Sequence, residues 1–250
     1  MNLSGKTAIV TGGARDIGKS TSLKLAQAGA NVVINYYSNE ANALQTQQEI
    51  EAAGGKATIA HGDLTKWADC EKVVRHALDT FGSEIHILVN NAGGLVARKT
   101  LAEMDEEFFN YIFQLNTTST FMMMKAAAPH MPEGSAIVNL ASQAGRDGGG
   151  GGASAYSASK AAVMTFTRGM AKELGPQGIR VNAVCPGMIA TTFHDTFTKD
   201  EIRTKVAGMT PLRREGHPDE VADLIVYLAS DQSSFITGAN FDINGGLAFS

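Results

Sequence analysis

The chain has 250 residues, of which 44% are hydrophobic, and its formal net charge at pH 7 is −4. A chain of this length can bury a large core, and α/β folds of this size often form one domain. We therefore expect a single domain over residues 1–250. The 21 lysines and arginines are scattered along the chain, which argues against a nucleic-acid partner.

Cysteine spacing and hydropathy exclude further classes of protein. Cys70 and Cys185 have the spacing of neither a zinc site nor a disulfide framework, so we expect no metal and a reducing compartment. No apolar run approaches the roughly 18 residues of a transmembrane helix, so no membrane partner is expected. The first predicted strand begins by Thr7, which leaves no room for a signal peptide. The expected location is the cytoplasm.

Apolar, β-branched runs alternate with helical patterns along the whole chain. Strands that are hydrophobic almost throughout are typical of a parallel sheet covered by helices on both faces. The pattern predicts a doubly wound, Rossmann-type α/β fold. The predicted strands are residues 7–10, 31–35, 57–61, 85–89, 136–140, 180–184 and 240–243.

The first predicted strand leads into a glycine-rich turn at residues 11–18 and then into a helical pattern. Glycines let backbone N–H groups approach a pyrophosphate, and the helix dipole favours its charge. A plain β–α turn would also use glycine. The strand before, the helix after and the second strand supply the context of a dinucleotide site.

Tyr156 and Lys160 are four residues apart and share one face of a predicted helix. A neighbouring ammonium stabilises a phenolate and brings the phenol pKa toward the range useful for acid–base catalysis. The same spacing also fits a solvated lysine that covers a half-buried tyrosine. The pair therefore gains meaning only from the other motifs.

Taken together, the motifs resemble the classical short-chain dehydrogenase/reductase family over essentially the whole chain. The resemblance covers the Thr-Gly-x-x-x-Gly-x-Gly turn, the Asn-Asn-Ala-Gly element, the Asn-Ser-Tyr-Lys tetrad and a Pro-Gly pair. The positions that carry it are Thr11, Gly12, Gly18, Asn90, Asn91, Ala92, Gly93, Asn116, Ser142, Tyr156, Lys160, Pro186 and Gly187.

The resemblance implies an NAD(P)H-dependent reductase of a small carbonyl compound and a homotetramer. Tyr156 is then the general acid, and Lys160 lowers its pKa and binds the nicotinamide ribose. Ser142 binds the substrate oxygen, and Asn116 holds a water that links Lys160 to solvent. The alternatives are a serine that caps its own strand end and an asparagine satisfied within its helix. A non-catalytic nucleotide-binding protein is the alternative class, which an intact tetrad disfavours.

The cofactor site implied by the resemblance departs from the family at Asp16, where the family has its middle glycine. A carboxylate there repels a pyrophosphate, so we expect the Asp16 side chain to turn away from the phosphates. The expected cofactor-binding residues are Gly12, Arg15, Asp16, Ile17, Gly18, Tyr36, Ser38, Asn39, Asp63, Leu64, Asn90, Ala92, Gly93, Tyr156, Lys160, Pro186, Gly187, Ile189 and Thr191. An ordinary turn is the alternative role for Asp63.

Cofactor preference depends on the end of the second strand. NAD-selective folds place an acid there to bind the ribose 2′-hydroxyl, and this chain has none before Glu40. Arg15, Ser38 and Asn39 can bind a 2′-phosphate. Asp16 opposes this by neutralising Arg15. The sequence therefore favours NADPH and leaves NADH possible.

The expected substrate is a small, hydrophilic keto-aldehyde acid. Residues 142–150, 185–197 and 242–246 look like bacterial alginate-pathway reductases of 4-deoxy-L-erythro-5-hexoseulose uronate (DEH), and 3-oxoacyl-acyl-carrier-protein reductases are the alternative. The candidate substrate residues are Gln143, Arg146 and His194, with Arg146 gripping a carboxylate. Arg146 can instead pair with Asp147, and His194 can face solvent. The glycines at 148–152 are expected to shape a loop beside this site.

Overall fold

A seven-stranded parallel sheet forms the centre of the computed structural model, which describes residues 1–249. The spatial order is β3-β2-β1-β4-β5-β6-β7, and every neighbouring pair is parallel. The strand order switches between β1 and β4: strands β1 to β3 are added toward one edge of the sheet, and β4 to β7 toward the other. Doubly wound folds bind their ligands at such a switch point. The strands are β1 Thr7–Val10, β2 Asn31–Tyr36, β3 Lys56–His61, β4 Ile87–Asn90, β5 Ala136–Leu140, β6 Arg180–Pro186 and β7 Asn240–Ile243.

All seven predicted strands are confirmed, and their ends move by at most two residues. Strand β4 begins at Ile87 instead of residue 85, and β6 continues to Pro186 instead of residue 184. An apolar run marks burial rather than pairing, so it locates a strand better than it locates its last hydrogen bond.

Ten α-helices connect and cover the strands in the described part of the chain. They lie on both faces of the sheet, as the sequence predicts. The helices are α1 Asp16–Gln27, α2 Glu40–Ala52, α3 Trp67–Phe81, α4 Glu106–Phe113, α5 Ser119–Ala127, α6 Ala144–Asp147, α7 Ser154–Leu174, α8 Thr192–Phe197, α9 Asp200–Met209 and α10 Pro218–Ala229. A π-helical turn, Gln114–Thr118, joins α4 to α5.

Two hydrophobic cores sandwich the sheet because successive strand residues point to opposite faces. Val10 of β1 packs with Leu25 of α1 and Ile225 of α10 in one core. Ile9 packs in the other core with residues of α3, α5 and α7, such as Val73. The Met122-Met123-Met124 run lies in this second core. No helix within residues 1–249 is both long enough and apolar enough to cross a membrane.

Candidate active site

Tyr156 and Lys160 lie on the first turns of α7, at the carboxyl end of the sheet. The Lys160 Nζ lies 5.9 Å from the centroid of the Tyr156 ring and donates to the Leu140 carbonyl at 2.6 Å. Ser142 follows β5, its hydroxyl is near enough to the Tyr156 phenol to lower the pKa of that phenol, and it accepts from the Ala144 N–H at 3.1 Å. The structure therefore brings three members of the predicted tetrad together.

Burial dominates the protonation of this group. It raises the pKa of Tyr156, against the lowering effect of the Ser142 hydroxyl. It also lowers the pKa of Lys160 to about 8, because a buried ammonium loses its hydration. The expectation that Lys160 lowers the pKa of Tyr156 stays a prediction, since the Lys160 Nζ bonds the Leu140 carbonyl in this structure. A protonated phenol at neutral pH is suited to act as an acid.

Asn116 lies in the π-helical turn, and backbone groups hydrogen-bond both the nitrogen and the oxygen of its side-chain amide. Its Nδ2 donates to the carbonyls of Gly94 and Ile112 at 2.9 and 3.0 Å, and its Oδ1 accepts from the Gly94 N–H at 2.9 Å. A Cβ on Gly93 would come within 2.5 Å of this Oδ1 and 3.2 Å of the Lys160 Nζ. Asn116 thus fixes the loop after β4 against the lysine, and its predicted role in holding a water stays a prediction. Single π-helical turns are frequent at functional sites.

The turn after β1 is a tight backbone cradle. Gly12 has φ 59°, and a Cβ on Gly18 would lie 2.1 Å from the Gly12 carbonyl oxygen. The Asn35 Oδ1 accepts from the Gly12 N–H at 3.2 Å. The Thr11 hydroxyl accepts from the N–H groups of Asn91 and Ala92, at 2.9 and 3.0 Å. Only glycine fits position 18, and the turn is held to the loop after β4.

Asp16 turns away from the turn's backbone amides, as the sequence predicts. Its two carboxylate oxygens accept from the Thr192 N–H at 3.1 Å and from the Thr192 hydroxyl at 2.5 Å. The Arg15 guanidinium contacts the same hydroxyl and lies 3.5 Å from the Asp16 carboxylate. Asp16 has φ 51°, in the left-handed region that glycine normally fills. Asp16, in place of the family's glycine, therefore connects the glycine-rich turn to the start of α8 by hydrogen bonds.

The segment after β6, residues 187–198, is called the lid here. Arg203 of α9 binds Asp195 of the lid at 2.5 Å and both carboxylate oxygens of Glu215 at 2.7 Å. His194 bonds the Thr198 hydroxyl at 3.0 Å, and burial lowers the pKa of its imidazole. His194 is therefore half-buried against the cavity and does not simply face solvent.

One cavity of about 610 Å³ joins the glycine-rich turn, the tetrad and the lid. The phenyl ring of Phe193 lies 5.8 Å from the Tyr156 ring, centroid to centroid, inside this cavity. Most of the predicted cofactor and substrate residues share the lining. They are Gly12, Arg15, Asp16, Ile17, Gly18, Tyr36, Ser38, Asn39, Ala92, Gly93, Ser142, Gln143, Tyr156, Lys160, Pro186, Gly187, Ile189, Thr191 and His194.

Asp63, Leu64 and Asn90 lie outside this lining, although the sequence placed them at the cofactor. The Asp63 carboxylate accepts from the Thr65 N–H and hydroxyl, at 3.1 and 2.7 Å, which is the turn role left open by the sequence. The side chain of Asn90 is buried in the sheet and donates to the Asn139 Oδ1 at 2.8 Å. Cofactor contacts for these three residues stay predictions.

The expectation that Arg146 grips a substrate carboxylate is wrong in this structure. Its Nε donates to Asp242 of β7 at 2.6 Å and its Nη2 to the Asn240 carbonyl at 2.8 Å. The pairing with Asp147, the sequence alternative, does not form either, because Asp147 accepts from Gln143 instead. Arg146 lies outside the cavity lining and ties α6 to the edge of the sheet.

Arg98, which the sequence gave no reason to select, lines the cavity in place of Arg146. Its Nε donates to the Phe197 carbonyl at 2.9 Å and its Nη1 to the Gly151 carbonyl at 2.8 Å. Among residues 1–249 no acceptor partners its Nη2. The residue lies eight positions after β4, in a loop without a recognisable motif, so only the tertiary structure reveals it.

Comparisons with known proteins agree with this geometry. The family model described as "Enoyl-(Acyl carrier protein) reductase" matches residues 12–248. A "3-oxoacyl-[acyl-carrier-protein] reductase" from Synechocystis is 39% identical over 249 residues, covering 98% of each chain. A short-chain dehydrogenase/reductase from Serratia marcescens superposes with a TM-score of 0.94 at 33% identity, covering all of both chains.

Two further solved structures bear on the chemistry of related sites. A blue fluorescent protein from a metagenomic library, in complex with NADPH, is 33% identical with a TM-score of 0.93 over the whole of both chains. The NADH-dependent reductase A1-R′, described as responsible for alginate metabolism, is 34% identical with a TM-score of 0.91 over 99% of each chain. Since the match extends over nearly the full length in sequence and in fold, this chain is an oxidoreductase that belongs to the short-chain dehydrogenase/reductase family.

Proposed function

We propose that the protein is an NADPH-preferring carbonyl reductase, with NADH as a usable alternative. The observation that carries this proposal is that Ser142, Tyr156 and Lys160 line one cavity, which continues to the glycine-rich turn. A phenol, a hydroxyl and an amine in this order suit the protonation of an oxygen on a carbonyl carbon. A pure binding protein has no need of such a group.

The residues of the turn fit a dinucleotide. The glycine at position 18 lets α1 begin directly against the turn, and no side-chain hydrogen bond from the N-cap residue Arg15 caps the start of α1, which leaves backbone amides for a pyrophosphate. The turn after β1 would hold the pyrophosphate, and Lys160 the nicotinamide ribose. A bound nicotinamide supplies the hydride for the carbonyl carbon.

Preference for NADPH is supported by the residues at the far end of the cavity. Tyr36, Ser38 and Asn39 line it next to the start of α2, and no carboxylate of β2 lies there. A helix N-terminus and hydroxyl and amide donors suit a 2′-phosphate. Arg15 is drawn toward Thr192 and Asp16, which moderates the preference and keeps NADH usable. Relatives of both kinds are known, one bound to NADPH and one described as NADH-dependent.

The proton transfer follows from the protonation states. Tyr156 keeps its proton at neutral pH, because burial raises its pKa, and donates it to the carbonyl oxygen as negative charge develops there. The Ser142 hydroxyl, which lines the same cavity as Tyr156, donates a hydrogen bond to the same oxygen. Lys160, cationic below pH of about 8, stabilises the phenolate that remains.

The proposed substrate is DEH, reduced at its aldehyde to 2-keto-3-deoxy-gluconate. Arg98 supports an acidic substrate, because it brings a guanidinium with an unpartnered Nη2 to the wall of the cavity that holds Tyr156. The relative described as responsible for alginate metabolism supports the same substrate. The second candidate is a 3-oxoacyl thioester, favoured by the 39% identity to a 3-oxoacyl-acyl-carrier-protein reductase.

A side-by-side assay tests this proposal. NADPH oxidation is followed with DEH and with the neutral thioester acetoacetyl-N-acetylcysteamine, and we expect the higher kcat/KM with DEH. Tyr156→Phe should lose at least roughly 10²-fold in turnover, the lower bound for general acid catalysis. Arg98→Met should raise the KM for DEH by about tenfold, since a charge-assisted hydrogen bond is lost, and leave the thioester within a few-fold.

Arg75→Met on the exposed face of α3 is the matched control and should change neither substrate. A higher kcat/KM for the thioester would reject DEH as the substrate. Equal losses on both substrates in Arg98→Met would assign that arginine to the structure of the lid. Turnover by Tyr156→Phe within a few-fold of the parent would reject the catalytic assignment itself.

A further inference from the structure

Gln143 lines the cavity and carries a buried side-chain oxygen, its Oε1, without a hydrogen-bond partner among residues 1–249. Its side chain is 7% exposed, and its Nε2 donates to the Asp147 carboxylate at 2.9 Å. The Oε1 lies at Gly187, where an added Cβ would come within 3.0 Å of it, and both residues line the cavity of Tyr156.

The orientation of this amide is set by its neighbour. A carboxylate only accepts hydrogen bonds, so the amide must turn its NH₂ to Asp147 and its oxygen away. Asp147 is itself fixed, because its other oxygen accepts from the Gly149 N–H at 2.8 Å. Gly149 has φ 70°, and Arg98 holds the same glycine loop through the Gly151 carbonyl at 2.8 Å. The loop therefore fixes an acceptor, and not a donor, at this point of the cavity.

Buried carbonyl oxygens are almost always hydrogen-bonded, so an orphan in a cavity indicates a ligand that donates to it. Gln143 directly follows Ser142, which lines the same cavity as Tyr156. A substrate whose carbonyl oxygen is bound between Ser142 and Tyr156 would place its α-carbon, the carbon next to the carbonyl carbon, toward Gln143. The geometry points to a hydroxyl on that carbon as the donor.

We propose that Gln143, held by Asp147, is a specificity-determining residue that accepts a hydrogen bond from the hydroxyl next to the reacting carbonyl. The enzyme then selects α-hydroxy carbonyl compounds as a class. This inference rests on the proposed carbonyl reductase activity and does not require DEH itself as the substrate. A site with a buried acceptor rejects an analogue that lacks the hydroxyl, because the oxygen is then left unpaired.

The test compares lactaldehyde with propanal, which differ by this one hydroxyl, at saturating NADPH. The ratio of their kcat/KM values is measured for the wild type and for Gln143→Met, which keeps the length of the side chain and removes the acceptor. The intrinsic reactivity and hydration of the two aldehydes cancel when the two ratios are divided. We expect Gln143→Met to lower the preference for lactaldehyde at least about tenfold, which corresponds to 1.4 kcal/mol, and to leave propanal within about threefold.

Two controls separate this role from others. Asp147→Asn frees the Gln143 amide to rotate, so the preference for lactaldehyde should fall although Gln143 is intact. The dissociation constant of NADPH, measured by fluorescence titration, should be the same for wild type and Gln143→Met. Circular dichroism confirms that each variant is folded.

Three results would overturn the inference. They are an unchanged ratio in Gln143→Met, a wild type that does not turn over lactaldehyde, and an equal loss on both aldehydes with weaker NADPH binding. The last result would assign the oxygen to the carboxamide of the cofactor. Failure of DEH in the earlier assay, with the lactaldehyde preference intact, would reject that substrate and leave the Gln143 inference standing.

Discussion

Lys160 is a lysine that the fold holds where water is largely excluded. Its side chain is 4% exposed, and the only compensation that its Nζ receives within residues 1–249 is the Leu140 carbonyl at 2.6 Å. Burial lowers its pKa from 10.5 to about 8, so the folded state disfavours the ammonium form. Active sites commonly hold groups that cost stability in this way.

We predict that Lys160→Met stabilises the protein at pH 7 while abolishing activity. The depressed pKa corresponds to roughly 3 kcal/mol against the charged form, and the lost hydrogen bond to Leu140 returns about 1 kcal/mol, so the net gain is about 2 kcal/mol. Between pH 8 and 10.5 the unfolded lysine still holds its proton and the folded one does not. Wild-type stability therefore gains a rising contribution across that window, and the advantage of the variant shrinks.

Urea unfolding at pH 7 and pH 9.5 measures this difference. Lys172→Met, on an exposed position of the same helix α7, is the control and should show neither the gain nor its pH dependence. Equal destabilisation by Lys160→Met at both pH values would show that the buried ammonium is not the strained group.

At the scale of elements, α1 and α8 are joined by Asp16. The left-handed conformation of a non-glycine residue costs about 1 kcal/mol, and the two hydrogen bonds to Thr192 offset a cost of that size. The same carboxylate draws the Arg15 guanidinium toward Thr192. Asp16 thus combines a strained backbone, hydrogen bonds to Thr192 of the lid and the orientation of Arg15, the arginine expected at a 2′-phosphate.

We predict that Asp16→Gly changes cofactor preference more than stability. The variant relieves the backbone strain and also removes the two hydrogen bonds to Thr192. Because these effects oppose each other, the free energy of unfolding should change by less than about 1 kcal/mol. Arg15 is released from its anionic neighbour, so the kcat/KM ratio of NADPH to NADH should rise by about fivefold to tenfold.

Asp16→Asn separates the two effects. Asparagine tolerates the left-handed region and can still accept from the Thr192 N–H, but it carries no charge. If charge sets the preference, Asp16→Asn shifts the cofactor ratio as far as Asp16→Gly does. A ratio that stays unchanged or moves toward NADH in both variants would contradict the role given to Arg15.

At the scale of the whole molecule, local pattern predicts what local interactions determine. Strand β5 could be read from five consecutive residues because all of them are buried. The order of Ser142, Tyr156 and Lys160 could be read because each follows a recognisable element. The family resemblance predicts that these three residues share one site.

The sequence pattern could not predict hydrogen bonds between residues that are distant in sequence. Arg146 pairs with Asp242, 96 residues further along the chain, because the pairing of β7 with β6 places Asp242 of β7 next to α6. Arg98 reaches the cavity through carbonyls 53 and 99 residues away. The π-helical turn around Asn116 has no periodicity that a short apolar pattern reveals. Charged side chains choose among partners that only the assembled fold supplies, so the sequence did not predict that Arg98, and not Arg146, lines the cavity.

An exposed aromatic side chain on α5 indicates how chains associate. Phe121 is more than two-fifths exposed and lies 6.2 Å from Phe166 of α7, centroid to centroid. Clustered apolar side chains at a surface commonly mark an interface between proteins. We propose that the surface around Phe121 is buried between subunits of the homotetramer that the family resemblance implies.

Light scattering after gel filtration should give a mass four times the 26.3 kDa of one chain. Phe121→Glu buries a charge at the proposed contact and should shift the mass to dimers or monomers, because an unpaired buried carboxylate is strongly unfavourable. Leu44→Glu on α2 is the matched control: both side chains are 42% exposed in the single chain, and Leu44 lies away from this surface. A tetramer that persists in Phe121→Glu, or dissociates equally in Leu44→Glu, would place the interface elsewhere.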